Sequence, residues 1–267
     1  MYRFKLIILF IIFSGLGFSQ SAESYNVKNI SFEQKYFVVD STEWEKGNKE
    51  FYKEMQPISD AMFKTLGLER QEPVITYDEL MDSIKKSGHN SDKFRRYFIY
   101  ENINDSIIKR YESTPEHPYA SGPTYLNFKS GKVYGDFPYK HFHRAYEFEF
   151  EKVDNIILEE YRDTTKIIEG IECYKVSLNY TYLTKEMYKA QLPQEDDDEF
   201  FFQLFGSMMQ NKEINMEMWV TDKIKSIYHP ILKVKEINEK YYPLEIEMKS
   251  SDSEGVLYLY TISELNY

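Results

Sequence analysis

Beyond Ser91 apolar and polar residues alternate with period two, in run after run, to the end of the chain. Side chains two apart share one face only in a β-strand, so this half of the chain is expected to be sheet with one covered face. FRRYFIYEN, DSIIKRYES, TYLNFKSGKVYGDF, AYEFEFEKV and NIILEEYRD are short β-rich runs joined by polar turns. Within the third, Lys129-Ser130-Gly131-Lys132 signals a hairpin, with Gly131 free to take positive φ. In the fourth, Tyr146, Phe148 and Phe150 alternate with Glu147, Glu149 and Glu151. Three carboxylates on one face could hold a metal or do acid/base work, but the alternation alone explains them as the wet face of an antiparallel strand. From Tyr174 to Tyr182 the alternation is clean, and Cys173 falls on its polar phase with Lys175, Ser177 and Asn179. EINMEMWV sets Ile214, Met216, Met218 and Val220 on one face, and YPLEIEMKS sets Leu244, Ile246 and Met248 likewise. VLYLYTISEL is apolar on both phases, as expected of a central or doubly covered strand.

The first part of the chain has another rhythm. Ile30 to Val39 is β-branched and aromatic and reads as a first strand. Asp40-Ser41-Thr42 supplies capping side chains to a helical pattern in which Trp44, Phe51, Met55, Ile58 and Met62 recur along one stripe. Pro57 is expected to kink or divide that helix. A second helix is predicted in TYDELMDSIKKSG, with Thr76 as cap, Glu79 three residues on and Gly88 as stop. No Pro-rich linker or repeat marks a boundary, so residues 21–267 are expected to form one α+β domain.

The first twenty residues have a basic start (Arg3, Lys5), an apolar run from Leu6 to Phe13 and a polar exit, the build of a secretory signal peptide cleaved near Gln20. The apolar run is short of the ~20 residues that span a bilayer. The expected product is exported, periplasmic or secreted, and not integral to the membrane. Losing Arg3 and Lys5 moves the formal charge from −11 to −13, which disfavours nucleic acid and anionic membrane surfaces as partners. One cysteine cannot form an intramolecular disulfide, so the fold must stand on its core. With 24 Tyr and 19 Phe, that core is aromatic, and tyrosine suits half-covered sheet faces.

No glycine-rich phosphate loop, nucleophile elbow or H-E-x-x-H pattern occurs. His141 and His143 would share one strand face, a possible pair for zinc or for a hydrolase with an added acid, but a zinc site needs a third ligand and Lys140 and Arg144 oppose a cation there. No metal or other cofactor is expected. Cys173 has no histidine near it in sequence, and Lys175 alone is an ordinary strand neighbour, so a small buried thiol is expected. The acidic run Glu195 to Glu199 precedes Phe200, Phe201, Phe202 and Phe205. It fits the start of a short helix packed on the sheet, or a mobile flap over a cavity.

The run ILEEYRDTTKIIEGIECYKVSL, with Thr165, Lys166, Ile168, Gly170, Ile171, Cys173 and Lys175, resembles a segment of the GLPGLI family and of related secreted domains with a lipoprotein-carrier-like fold. Met218-Trp219-Val220-Thr221 and Tyr242-Pro243-Leu244-Glu245-Ile246 stand where those families have their later strands, though the glycine-leucine-proline signature is missing. The resemblance implies a curved antiparallel half-barrel wrapped around amphipathic helices, with a concave face that holds acyl chains and no catalytic residues. The leading functional expectation is therefore a non-enzymatic envelope domain that binds an apolar small molecule, a lipid or a lipidated protein, with Phe200, Phe201, Phe202 and Phe205 as a candidate gate. The alternatives are a protein-interaction module without a ligand cavity, and a hydrolase using His141 and His143.

Overall fold

The period-two runs pair into an open, curved antiparallel sheet. The computed structural model describes residues 27–65, 76–86, 95–104, 106–114, 121–135, 146–147, 150–191, 209–226 and 228–267. Among these the strands are β1 (Asn29–Val38), β2 (Arg96–Asn104), β3 (Ile107–Ser113), β4 (Ser121–Asn127), β5 (Lys132–Gly135), β6 (Tyr146–Glu147), β7 (Val153–Ile168), β8 (Ile171–Tyr182), β9 (Lys212–Thr221), β10 (Tyr242–Ser250) and β11 (Val256–Asn266). The helices are α1 (Ser41–Thr65), α2 (Tyr77–Lys86), α3 (Thr184–Gln191) and the single turn α4 (Lys235–Asn238). The strands lie in the order β6-β5-β4-β3-β2-β1-β11-β10-β9-β8-β7. Two meanders are thus joined where the first strand meets the last, and the α+β class expected from the sequence is the one found.

Register puts the apolar phases on one inner face. Tyr36, Tyr258, Met248, Met216 and Leu178 face one another across β1, β11, β10, β9 and β8. The next row is Arg96, Gln34, Tyr260, Ile246, Met218 and Val176. Val176, Met218 and Ile246 are fully buried, which places the core over the middle of the sheet.

The cover over that core is not a regular element. The connection from β9 to β10 carries Tyr228, His229, Leu232, Val234 and Ile237, all buried. Tyr228 stacks against Tyr100 of β2 at 6.0 Å and against Phe128 at 6.1 Å, so the connection reaches far across the sheet. His229 fixes it. Its Nδ1 accepts the backbone N–H groups of Ile231 (3.1 Å) and Leu232 (3.0 Å), and its Nε2 meets the Pro243 carbonyl at 2.9 Å. A nitrogen that accepts two N–H groups carries no proton, so the neutral ring is protonated at Nε2 and donates to Pro243. Phe32 and Tyr242 approach the ring edge-on, each at 4.9 Å.

The two long helices sit at one end. Asp40 caps α1, its carboxylate accepting from Thr42 (2.9 Å) and Glu43 (3.1 Å), and Thr76 and Glu79 form the expected capping box ahead of α2. Trp44, Met81 and Val256 make a second small cluster with Tyr36, Tyr77 and Tyr258, tying both helices to β1 and β11. α1 runs through Pro57 as one helix and is not divided there.

Burial holds the His229 pKa far below its usual 6.5, at about 3, and the hydrogen bond to Pro243 only partly opposes this. The unfolded chain takes up the proton near pH 6.5 and the folded one near 3, so stability falls as pH drops through this window. The loss from this residue is about 4–5 kcal/mol. Urea unfolding at stepped pH should show that slope, and His229→Gln should start less stable and be flatter between pH 6.5 and 3. An equal slope in both proteins would remove His229 as its source.

Candidate functional site

Among the described residues the β9–β10 connection leaves part of the inner face uncovered, and there the structure has a cavity of about 700 Å³. Its floor is the two cross-strand rows, with Tyr36, Tyr258, Met248 and Met216 in one and Gln34 and Tyr260 in the other. Trp44 and Asn48 of α1 wall one side, Ile231 of the connection another, and Tyr180 and Tyr182 of β8 a third. The volume lies in the range of small-molecule sites, and aromatic and thioether side chains present a soft, polarizable wall.

Trp44 reaches that wall because of a glycine. Gly255, in the turn from β10 to β11, has φ +73°, and its carbonyl accepts the N–H of Val39 (2.8 Å) and of Asp40 (3.2 Å). A Cβ there would lie 2.2 Å from the Asp40 oxygen and 2.7 Å from the Trp44 nitrogen. The first turn of α1 therefore seats directly on this backbone, which aims the helix start at the cavity.

Several of the polar groups in the wall are paired with one another. Gln34 donates to the Tyr260 hydroxyl at 3.0 Å. Lys212 and Asp252 form an ion pair, and although burial pushes the Asp252 carboxyl up, hydrogen bonds from Lys212 and Ser250 hold it below its ordinary value. Glu151 is part-buried and accepts the Tyr180 hydroxyl at 3.2 Å. Burial raises its pKa, against the opposing charge of Lys233 and the Tyr180 bond. Burial first, and then Glu151, raise that of Tyr180 in turn.

Glu151 is the residue the sequence misplaced. Strict alternation put it on a solvated strand face with Glu147 and Glu149, but residues 150–152 are not strand, and the Glu151 backbone N–H bonds the Lys233 carbonyl at 3.0 Å. The break in the strand turns its carboxyl into the cavity wall. No pattern in the sequence marks that break.

Cys173 is fully buried, as expected. Its phase along β8 is not altered by a bulge. Glu169 (φ +49°) and Gly170 (φ +76°) form a two-residue hairpin turn closing the pair Ile168 and Ile171. The register slips instead in β7, between Tyr161 and Thr165. Cys173 keeps the phase of Lys175, opposite Lys166, which bonds Glu245 at 2.7 Å and lies 4.6 Å from the Trp219 ring. Burial pushes the thiol up to about 12, with Lys166 and Lys223 opposing. The gate candidates Phe200, Phe201, Phe202 and Phe205, the histidines His141 and His143, and the expected leader 1–20 lie outside the described residues. Among the described residues no group of three or more His, Cys, Asp or Glu could hold a metal ion, and no helix is long and apolar enough to cross a membrane.

No protein-family model and no curated protein matches the chain. Among solved structures it is similar to the LolA superfamily protein NE2245 from Nitrosomonas europaea, at 5% identity and a TM-score of 0.31 over 93% of this chain and 92% of that one. It is also similar to LprF from Mycobacterium bovis, at 7% identity and a TM-score of 0.27 over 92% and 88%.

A thiolate needs deprotonation and access, and Cys173 has neither. At pH 8 Ellman's reagent should label the folded protein about a thousandfold more slowly than the chain in urea. Comparable rates would show that the thiol is open.

Proposed function

We propose that this protein is a non-enzymatic domain of the cell envelope that binds an apolar small molecule, a lipid or a lipidated partner. The observation that carries the reading is the cavity of about 700 Å³ walled by inner-face tyrosines and methionines. The driving force is burial of hydrocarbon, roughly 0.8 kcal/mol per CH₂. A ten-carbon chain would gain about 8 kcal/mol, against an association cost of several kcal/mol, so single-chain ligands are expected to bind in the micromolar to millimolar range. Export through the leader 1–20 would put the domain where such ligands are exchanged. Phe200, Phe201, Phe202 and Phe205 keep the role of gate in this proposal.

Protein purified without detergent should carry lipid that native mass spectrometry detects. The emptied protein should bind N-phenyl-1-naphthylamine with a rise in fluorescence. Met248 lies on the cavity floor, and Met248→Trp should fill it and lower probe affinity at least tenfold while the circular dichroism spectrum stays unchanged. Unaltered probe binding in that folded variant would place the ligand elsewhere.

One observation favours a second reading, an interaction module. β7 is an edge of the sheet sixteen residues long, with Ile156, Ile157, Tyr161 and Ile167 exposed, the last by 74%. Among the described residues no strand pairs with its outer edge, which could accept a strand from a protein partner. In that case β7 amides that exchange quickly in the purified protein should be slowed in an envelope preparation. Equal exchange in both would dismiss it.

A further inference from the structure

The cavity is not uniformly apolar, and its polar groups are unequally committed. Lys212 and Asp252 neutralise each other, and Gln34 and Tyr260 are bonded together. Glu151 differs. A carboxylate can accept about four hydrogen bonds, and among the described residues it accepts one, from Tyr180. Its backbone N–H is tied to Lys233, so the carboxyl is held at the junction of β8, the β9–β10 connection and the strand break before β7. Lys233 acts on it through charge but makes no ion pair with it within 4 Å.

We propose that the Glu151–Tyr180 end of the cavity reads a hydrogen-bond-donating headgroup, a primary alcohol or amine on an apolar chain, and rejects carboxylate- and phosphate-headed amphiphiles. The inference rests on the reading of the cavity as an amphiphile site. A hydroxyl or ammonium group fills the acceptor positions that Tyr180 leaves open. A second anion beside a part-buried carboxylate meets like-charge repulsion at low dielectric, which is costly in an environment that already disfavours one charge. Arg96 offers an anion a different seat, but it is exposed on β2, five strand spacings from β8, or about 24 Å along the sheet.

The test displaces N-phenyl-1-naphthylamine with 1-decanol, decylamine and decanoate at pH 8, in the wild type and in Glu151→Gln. The three share one chain and differ only in the headgroup. Glu151→Gln should weaken decylamine about tenfold and decanol severalfold, and leave decanoate equal or tighter. Equal shifts for all three, or no shift, would overturn the proposal while leaving an apolar cavity in place. Failure of every ligand to displace the probe in the wild type would overturn both readings. A second measurement needs no variant. As pH falls from 8 to 4.5 Glu151 takes up its proton, and decylamine, a cation throughout, should lose affinity relative to decanol. Lys233 and Tyr180 are the other groups that face Glu151, and the Lys212–Asp252 ion pair stands in the same wall. A constant decylamine-to-decanol ratio would overturn the proposal.

Discussion

The hydrogen bonds of one neutral imidazole hold the interior together. The connection from β9 to β10 has almost no regular structure of its own, yet it lies over the middle of the sheet, where an unpaired backbone group costs about 1–3 kcal/mol. His229 satisfies two N–H groups and one carbonyl at once, and its ring faces fill the space between Phe32 and Tyr242. Asn238 supports the same segment by donating to the Leu232 carbonyl at 2.7 Å. With the segment held in this way, Tyr228 can extend to β2 and accept from Arg110 of β3 at 3.4 Å. The core is thus closed by a clasp rather than by a helix.

Where the clasp ends, the cavity begins. The same rows of side chains continue into the cavity, but they change character, from Val176, Met218 and Ile246 over the core to Met216, Met248, Tyr258, Tyr260, Gln34 and Arg96 at the cavity. Tyrosine is well suited to that border, because the ring packs while the hydroxyl stays available to water or a ligand. Tyr36, Tyr258 and Tyr260 stand at that border, with Tyr260 buried and its hydroxyl accepting from Gln34.

Much of the sheet was legible because period two is a strong signal when one face is covered. Ile214, Met216, Met218 and Val220 occupy the inner face as their alternation demanded, and the capping box at Thr76 and Glu79 forms as its spacing implied. What escaped is what no local pattern encodes. His229 is an isolated histidine in sequence, and its three partners are set by a chain path that only the fold defines. Glu151 was misplaced because alternation was extended through a strand break that leaves no mark in composition. The slip in β7 between Tyr161 and Thr165 was not foreseen, because a register shift is a property of two paired strands and leaves no mark in the sequence of either.

The single thiol shows how far side-chain phase can mislead. Cys173 and Tyr174 are neighbours on opposite faces of β8, and both are buried. A strand with one wet face cannot do that, so the outer face must be covered locally. The cover there is polar: Lys166 spans from the edge strand to Glu245 and lies over Trp219, and Lys175 pairs with Glu217 at 2.9 Å. Long charged side chains lay their methylenes over the sheet and keep their heads in water. A charged row of this kind looks like a solvated face in sequence and acts as a roof in three dimensions. A cysteine beneath it is small enough to fit and is kept protonated by the same burial, so the chain can carry it unpaired without exposing a nucleophile.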